Sequence, residues 1–383
     1  MGQVYCHTRP MQGFCVLRDS FLPPASPEKS KKSGEISNME NQLQKIVQPL
    51  LAWFAVHRRE LPWRQDQNPY HVWVSEIMLQ QTRIEAVIHY YHRLIEALPD
   101  VRSLSEVSEE RLLKLWEGLG YYSRAKNLKK AAEMIMRDFG GLFPDTYASL
   151  RKLPGVGDYT AGAIASICFH ERVTAVDGNV LRVVSRVTGS RDNVLLPAVR
   201  QQVETQLYRI LPDDAGAFNE AMMELGETVC LPGGAAKCGE CPLCGICSAH
   251  RDGLTTEIPV RIKQMKRRQE QRTVLLLMDG DGRTAVEKRP DKGLLAGMYQ
   301  LPNVEGFLSE GEISDLLKTW ELQAKEITFL GDAKHAFTHL DWIMKGYRVK
   351  VSHPAGRFLW VTPEDLREQY PLPTALKPFA PFH

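Results

Sequence analysis

Cys230, Cys238, Cys241 and Cys247 are separated by seven, two and five residues, and a fifth cysteine, Cys244, lies between the last two. Five of the eight cysteines thus fall in one short stretch. Disulfide frameworks are normally spread through small secreted domains, whereas a tight cluster in a long chain reads as a metal site in a reducing compartment. Four thiolates in one loop can hold a cubane iron–sulfur cluster or a zinc ion. A zinc site on Cys238, Cys241, Cys244 and Cys247 is conceivable, but leaves little chain for tetrahedral closure.

Two carboxylates draw notice for their surroundings. Glu76 sits in Val72-Trp-Val-Ser-Glu-Ile-Met-Leu-Gln-Gln-Thr82, among mostly apolar neighbours. Burial pushes a carboxyl toward its neutral form, the state a general acid needs. Asp177, in Ala175-Val-Asp-Gly-Asn-Val180, precedes an apolar-periodic run and reads first as a helix N-cap. The helix dipole there favours the anion, which suits it to stabilise a cationic sugar. Environments that push two carboxyls apart assign acid and base roles. Between them, Leu153-Pro-Gly-Val-Gly-Asp-Tyr-Thr160 places Gly155 and Gly157 in a tight turn before an apolar helix. Converging backbone N–H groups at such a start bind phosphate. With a helix before it the segment reads as a helix–hairpin–helix, which grips the DNA backbone without reading sequence.

The elements that must position these residues fall into two patterns. From residue 40 to about 230 apolar residues recur at helical spacing, for example Leu43, Ile46, Val47, Leu50 and Phe54, and no period-two strand appears. Amphipathic runs at roughly 84–95, 108–117, 125–139, 158–169, 179–188, 197–210 and 216–228 predict an all-α unit of about ten helices. After residue 272 the pattern changes to strands at 274–278, 285–288, 327–331, 347–351 and 358–361, with a hairpin turn at 279–282 and helices at 309–320 and 362–370, a smaller α+β domain. The division is therefore 1–38 as a disordered extension, 39–256 as a helical domain with its cysteine loop at 230–247, 257–272 as a basic linker, and 273–383 as the second domain. Met39 is a plausible alternative start, and Cys6 and Cys15 have no evident partners. The linker holds six Lys or Arg and one Glu from 261 to 272, a solvated connector or a clamp on phosphates.

Composition sets outer limits. The chain has 383 residues, 43% hydrophobic and 25% charged, which excludes a wholly disordered or fibrous protein. The formal charge of +2 is nearly balanced, so any nucleic-acid affinity must come from local patches. No apolar run approaches membrane length. A cytoplasmic, nucleoid-associated monomer is expected, with no membrane partner.

The hairpin, the downstream Asp177 and the four-cysteine loop together resemble the endonuclease III superfamily of DNA glycosylases. Within it, residues 40–383 resemble the MutY family of adenine DNA glycosylases. The resemblance is carried by Leu61-Pro-Trp-Arg64, Val74-Ser-Glu-Ile-Met-Leu-Gln-Gln-Thr-Arg83, Trp116-Glu-Gly-Leu-Gly-Tyr-Tyr-Ser-Arg124, Val176-Asp-Gly-Asn-Val180 and Ala217-Phe-Asn-Glu220. It implies a helical glycosylase domain with a 4Fe-4S cluster on Cys230, Cys238, Cys241 and Cys247, followed by a Nudix (MutT-like) domain. The first gap in the cysteine loop is seven rather than the more usual six, and Cys244 is additional. The implied reaction is removal of adenine mispaired with 8-oxoguanine or guanine in double-stranded DNA. Glu76 would protonate the leaving base and Asp177 would stabilise the sugar cation, with Tyr159 and Asn179 completing the catalytic group. Arg59, Leu61, Trp63 and Glu220 would line the adenine pocket, and Gln81 and Tyr121 would wedge into the duplex. Bifunctional relatives carry a lysine where this chain has Tyr159, so an enzyme that leaves an abasic site is implied.

The second domain lacks the glutamate-rich helix of nucleotide hydrolases after Gly293, so recognition rather than hydrolysis is expected of it. His335-Ala-Phe-Thr-His339 matches the family's 8-oxoguanine-sensing loop, which assigns Phe337, Thr338 and His339 to the lesion. Thr338 stands where serine is usual and keeps the hydroxyl. Other readings are a different base-excision glycosylase of the superfamily, or a non-catalytic iron–sulfur binder of damaged DNA.

Overall fold

The computed structural model describes residues 41–262 and 267–382. The expectations for residues 1–38, for Met39 and for the middle of the basic linker lie outside the described residues. The first domain is helical: α1 (Val47–His57), α2 (Pro69–Leu79), α3 (Ile84–Ala97), α4 (Val101–Glu106), α5 (Glu109–Leu115), α6 (Ser123–Asp138), α7 (Tyr147–Leu150), α8 (Asp158–Phe169), α9 (Gly178–Thr188), α10 (Pro197–Ile210), α11 (Ala215–Thr228) and α12 (Ser248–Arg251). Their starts follow local rules. Asp177 caps α9 by accepting from Val180 N, Asp214 caps α11 through Ala217 N, and Asn68 caps α2 through Tyr70 N. None of these helices is long and apolar enough to cross a membrane.

Two apolar cores divide the domain. One joins α2 to α8 around the fully buried Trp73 and Trp116; the other joins α1, α9, α10 and α11 around Phe218. The cleft where the cores adjoin receives the ends of α2, α8 and α9. Close packing there demands small residues. A Cβ on Gly162 of α8 would meet the Thr174 carbonyl oxygen at 2.1 Å.

The second domain is a mixed sheet in the order β3-β2-β1-β6-β5, built from β1 (Arg268–Met278), β2 (Thr284–Lys288), β3 (Tyr299–Gln300), β5 (Ala324–Ala336) and β6 (Leu340–Val351). Strand β4 (Asn303–Glu305) pairs with β1 and β7 (Leu359–Val361) with β2; β1 and β6 run parallel. Helices α13 (Glu310–Thr319) and α14 (Pro363–Glu368) pack against it. Three strands are longer than their apolar runs. Strand β1 begins at Arg268, because residues 268–272 pair with β6 from Leu340 onward despite their charge, so the end of the expected linker is sheet. Strand β5 is mostly exposed or half-buried and carries little apolar alternation to reveal it. The very short β3 and β4 carry no sequence signal.

The domains meet along α5 and the turn after it. Lys114 Nζ donates to the carbonyls of Leu366 (3.3 Å) and Tyr370 (3.2 Å), and Glu117 pairs with both Lys114 (2.6 Å) and Lys377 (3.2 Å). Lys288 pairs with Glu110 at 2.6 Å, and Met298 is buried in the helical core.

Gly162→Ala forces a carbonyl or a helix to shift and lowers stability by about 1–3 kcal/mol. Gly311→Ala, with nothing within 4 Å of the added methyl, leaves it unchanged or slightly raised. Denaturant unfolding of both variants checks the contrast.

Candidate active site

A cavity of about 830 Å³ opens between the two helical cores. Glu76 reaches it from the middle of α2, Tyr159 from the first turn of α8, and Asp177 and Asn179 from the start of α9. Arg59, Leu61, Trp63 and Glu220 line the same space, and Gln81, Gly155 and Gly157 lie at its border. Tyr121 is outside the lining, 43% exposed in the turn before α6. Phe337, Thr338 and His339 form the β5–β6 turn of the other domain and do not contribute to the cavity.

Glu76 is buried, and its Oε2 has no hydrogen-bond partner. Burial pushes its pKa up to about 7, and the nearby Asp177 charge adds to the rise; a hydrogen bond with Tyr159 and the charge of Arg64 act the other way. The Tyr159 hydroxyl also donates to Met223 Sδ at 3.0 Å. Asp177 departs from expectation. Burial raises its pKa too, rather than leaving the ordinary anion implied by an N-cap. The contrast with Glu76 lies in donors. Asp177 Oδ1 accepts from Val180 N (2.7 Å) and Oδ2 from Asn179 Nδ2 (2.9 Å), and these bonds favour its charged form on both oxygens, whereas Glu76 Oε2 has no such donor among the described residues. The two carboxyls therefore share a buried site and differ in the number of groups that hold the charge.

The rest of the wall carries its own balance of charge. Glu220 and Glu224 lie one turn apart on α11; Arg64 pairs with both (2.9 and 3.0 Å) and Arg59 pairs with Glu224 through two nitrogens. Arg64, Met223 and Glu224 were not expected from the sequence. The carboxylates at 220, 224 and 227 repeat on one helical face, a pattern that could have found them.

The hairpin is α7, the turn at 151–157 and α8. Gly155 has φ +78°, and a Cβ there would meet Asn127 Cβ at 2.8 Å, so glycine is required. Gly157 is the N-cap of α8 and offers no side-chain acceptor, which leaves the first N–H groups of this helix open to an anion. Tyr159 and this N-terminus thus share one turn of helix.

From Asp177 a line of polar side chains runs down α9. Arg182 donates to Asn179 Oδ1 (2.8 Å), to Gly226 O (2.9 Å) and to Cys230 O (2.7 Å). Arg186 donates to Cys230 Sγ (3.2 Å), Leu231 O, Thr255 O and Ile258 O. Cys230, Cys238, Cys241, Cys244 and Cys247 all border a second, small cavity beside Arg186, Lys237 and His250. All are free and half-buried, and burial pushes Cys241 up to about 12. Among the described residues no group of three or more His, Cys, Asp or Glu side chains could hold a metal ion on its own. Five thiols around one cavity with arginine and lysine beside them supply at least the four ligands taken by a group that brings its own sulfides.

Residues 74–212 match the HhH-GPD superfamily of base excision DNA repair proteins, and residues 273–380 match the NUDIX domain. The chain is similar to the adenine DNA glycosylase of Arabidopsis thaliana, 36% identical over 71% of this chain, although it spans only about half (49%) of that relative's length. It is similar to the adenine DNA glycosylase of Rattus norvegicus, 32% identical over 83% of this chain and 74% of the relative. Among solved structures a thermostable thymine-DNA glycosylase aligns with 55% of this chain and 98% of its own, with 27% identity and a TM-score of 0.50.

The raised Glu76 pKa has a stability consequence. Between its ordinary value of 4.5 and about 7 the unfolded chain ionises while the folded chain stays neutral, so stability falls as pH rises through that window. Glu76→Gln removes the effect. Melting curves should show the variant gaining on the parent from pH 4.5 to 7 and then holding an advantage of about 1–3 kcal/mol.

Proposed function

The chain belongs to the adenine DNA glycosylase family of base excision repair enzymes, and we propose that it excises adenine mispaired with 8-oxoguanine or guanine by acid-assisted hydrolysis, leaving an abasic site. The observation that carries this reading is the buried, half-unpartnered carboxyl of Glu76 beside the charge-supported carboxylate of Asp177 in one cavity. The base sits inside a duplex and must be extruded to reach them. Glu76, neutral up to about pH 7, gives its proton to the departing adenine. Asp177 stabilises the positive charge that grows on the sugar, and Tyr159 and Asn179 hold the two carboxyls in place. The division is that of paired-carboxylate glycosidases, applied to a bond between sugar and base. Tyr159 has no amine with which to form a Schiff base, which favours hydrolysis without strand cleavage.

Arg59, Leu61, Trp63 and Glu220 line the space for the adenine, and the open α8 N-terminus with Gly155 and Gly157 grips a phosphate. Gln81 and Tyr121 occupy the gap beside the extruded nucleotide. Phe337, Thr338 and His339 meet the 8-oxoguanine that stays in the stack, with the Thr338 hydroxyl as a hydrogen-bonding group. The partner is double-stranded DNA; a nucleoid-associated monomer is consistent with that role.

Cys230, Cys238, Cys241 and Cys247 would hold a 4Fe-4S cluster that fixes the loop from 230 to 247 structurally. Cys244, which borders the same cavity, is the spare thiol. Residues 39–256 would then be the glycosylase domain and 273–383 the lesion-reading one.

A duplex with adenine opposite 8-oxoguanine should acquire an alkali-labile site at the adenine, with no cut before alkali. Glu76→Gln should bind the duplex and leave it intact. Single-turnover rates should fall about tenfold per pH unit above pH 7 as the acid ionises; a flat profile to pH 9 contradicts the assignment. Purified protein should contain iron and acid-labile sulfide in equal amounts, and zinc without sulfide contradicts the cluster.

A further inference from the structure

Arg124, in the first turn of α6, is buried at 7% exposure and has no carboxylate partner. Its Nη1 donates to the carbonyls of Ile77 (2.8 Å), Met78 (2.7 Å) and Gln80 (2.7 Å). Its Nη2 donates to Thr82 Oγ1 (3.2 Å), Leu119 O (3.4 Å) and Gly120 O (3.1 Å). One guanidinium therefore joins two turns that are far apart in sequence. The first closes α2, where Arg124 serves the Ile77 and Met78 carbonyls while Thr82 N serves that of Leu79, and a positive charge there also complements the dipole of the helix that carries Glu76. The second precedes α6.

Each turn contains a non-glycine residue in the left-handed region next to the carbonyls that Arg124 grips. Gln81 has φ +59° and Tyr121 has φ +49°. Such conformations are costly and persist where surroundings over-determine them. Both side chains point outward while the backbone beneath them is pinned, and the Arg124 guanidinium also lies over the Tyr121 ring at 5.5 Å and the buried Trp116 ring at 5.4 Å. A lysine could supply the charge but not two rows of donors in a fixed fork.

We propose that Arg124 is a positioning residue for base extrusion: it locks the Gln81 and Tyr121 turns into one rigid unit at a set distance from the helix of Glu76. The proposal rests on the reading of Gln81 and Tyr121 as the wedge. Without the lock the two turns relax from their left-handed conformations independently, and the duplex is bound but not opened.

The test uses the full chain in a Glu76→Gln background, so that no excision occurs, and a duplex with 2-aminopurine at the adenine position opposite 8-oxoguanine, whose fluorescence rises on unstacking. Arg124→Lys should cut the saturating fluorescence rise several-fold while duplex affinity changes little. In otherwise active protein it should lower the single-turnover excision rate about tenfold, equivalent to about 1.4 kcal/mol. In a Gln81→Ala/Tyr121→Ala background, already deficient in extrusion, Arg124→Lys should add no further loss, because residues acting through one another are non-additive. Should Arg124→Lys fail to fold, Thr82→Val, which removes one acceptor, carries the same test with a smaller loss. An unchanged fluorescence rise, or a loss that adds in full to that of the wedge variants, overturns the proposal. If Gln81→Ala/Tyr121→Ala itself extrudes the base normally, the wedge reading falls and the proposal with it.

Discussion

A carboxyl that remains neutral near pH 7 has to be kept from water and short of donors, and much of the helical domain maintains that condition for Glu76, whose hydrogen bond with Tyr159 only partly offsets its burial. Helix α2 is buried along most of its length, from Tyr70 to Met78, so the acid has little freedom to find another partner. The price is an unpartnered buried oxygen, a cost that stable proteins usually avoid. It persists because the surrounding packing is strong: Trp73, Val74 and Met78 on the same helix are fully buried. The destabilising group and the core that tolerates it are on one element, as expected where chemistry and stability compete.

Helix α9 works in the opposite direction on the second carboxyl of the cavity, supplying donors that favour its charged form against the burial that raises its pKa. Its N-terminus donates to Asp177, and Asn179 adds a side-chain donor whose own carbonyl is fixed by Arg182. Arg182 and Arg186 follow at one-turn spacing and bind the backbone and thiol of Cys230. The cysteine loop is thereby fastened to the same helix whose N-terminus holds Asp177. Disorder in the loop would free two arginines to move, and Asn179 with them.

The sequence was most legible where one residue type solves one local problem. The two-glycine turn, the Asp177 cap and the cysteine loop could be read because each carries its physics in a few adjacent residues. Helices α3, α5, α6 and α8 to α11 followed from apolar spacing for the same reason, whereas the short α4 and α7 carry too few turns to show a period. What escaped was assembled from distant parts. Arg64 meets Glu220 and Glu224 across more than 150 positions of chain, and the six acceptors of Arg124 lie in two separate turns. The error at Asp177 has the same origin: an N-cap is visible locally, but the burial that raises its pKa comes from neighbouring helices. Strands β1 and β5 were under-read because a strand paired on one side by β6 can carry charge where the apolar pattern stops.

The interface between the domains adds a mechanical constraint on the Tyr121 turn. The contacts are made by Glu110, Lys114 and Glu117, which lead directly into the turn that presents Tyr121, and Tyr122 hydrogen-bonds Thr374 of the second domain. Glu117 and Lys114 are only 12% and 14% exposed as side chains, so their charges are poorly screened, and Lys114 also satisfies two carbonyls of the second domain. Removing one partner would cost more than for an exposed pair, even though Lys377 still faces Glu117 and two carbonyls still face Lys114. The turn of Tyr121 is therefore gripped from beneath by Arg124 and from the side by the second domain.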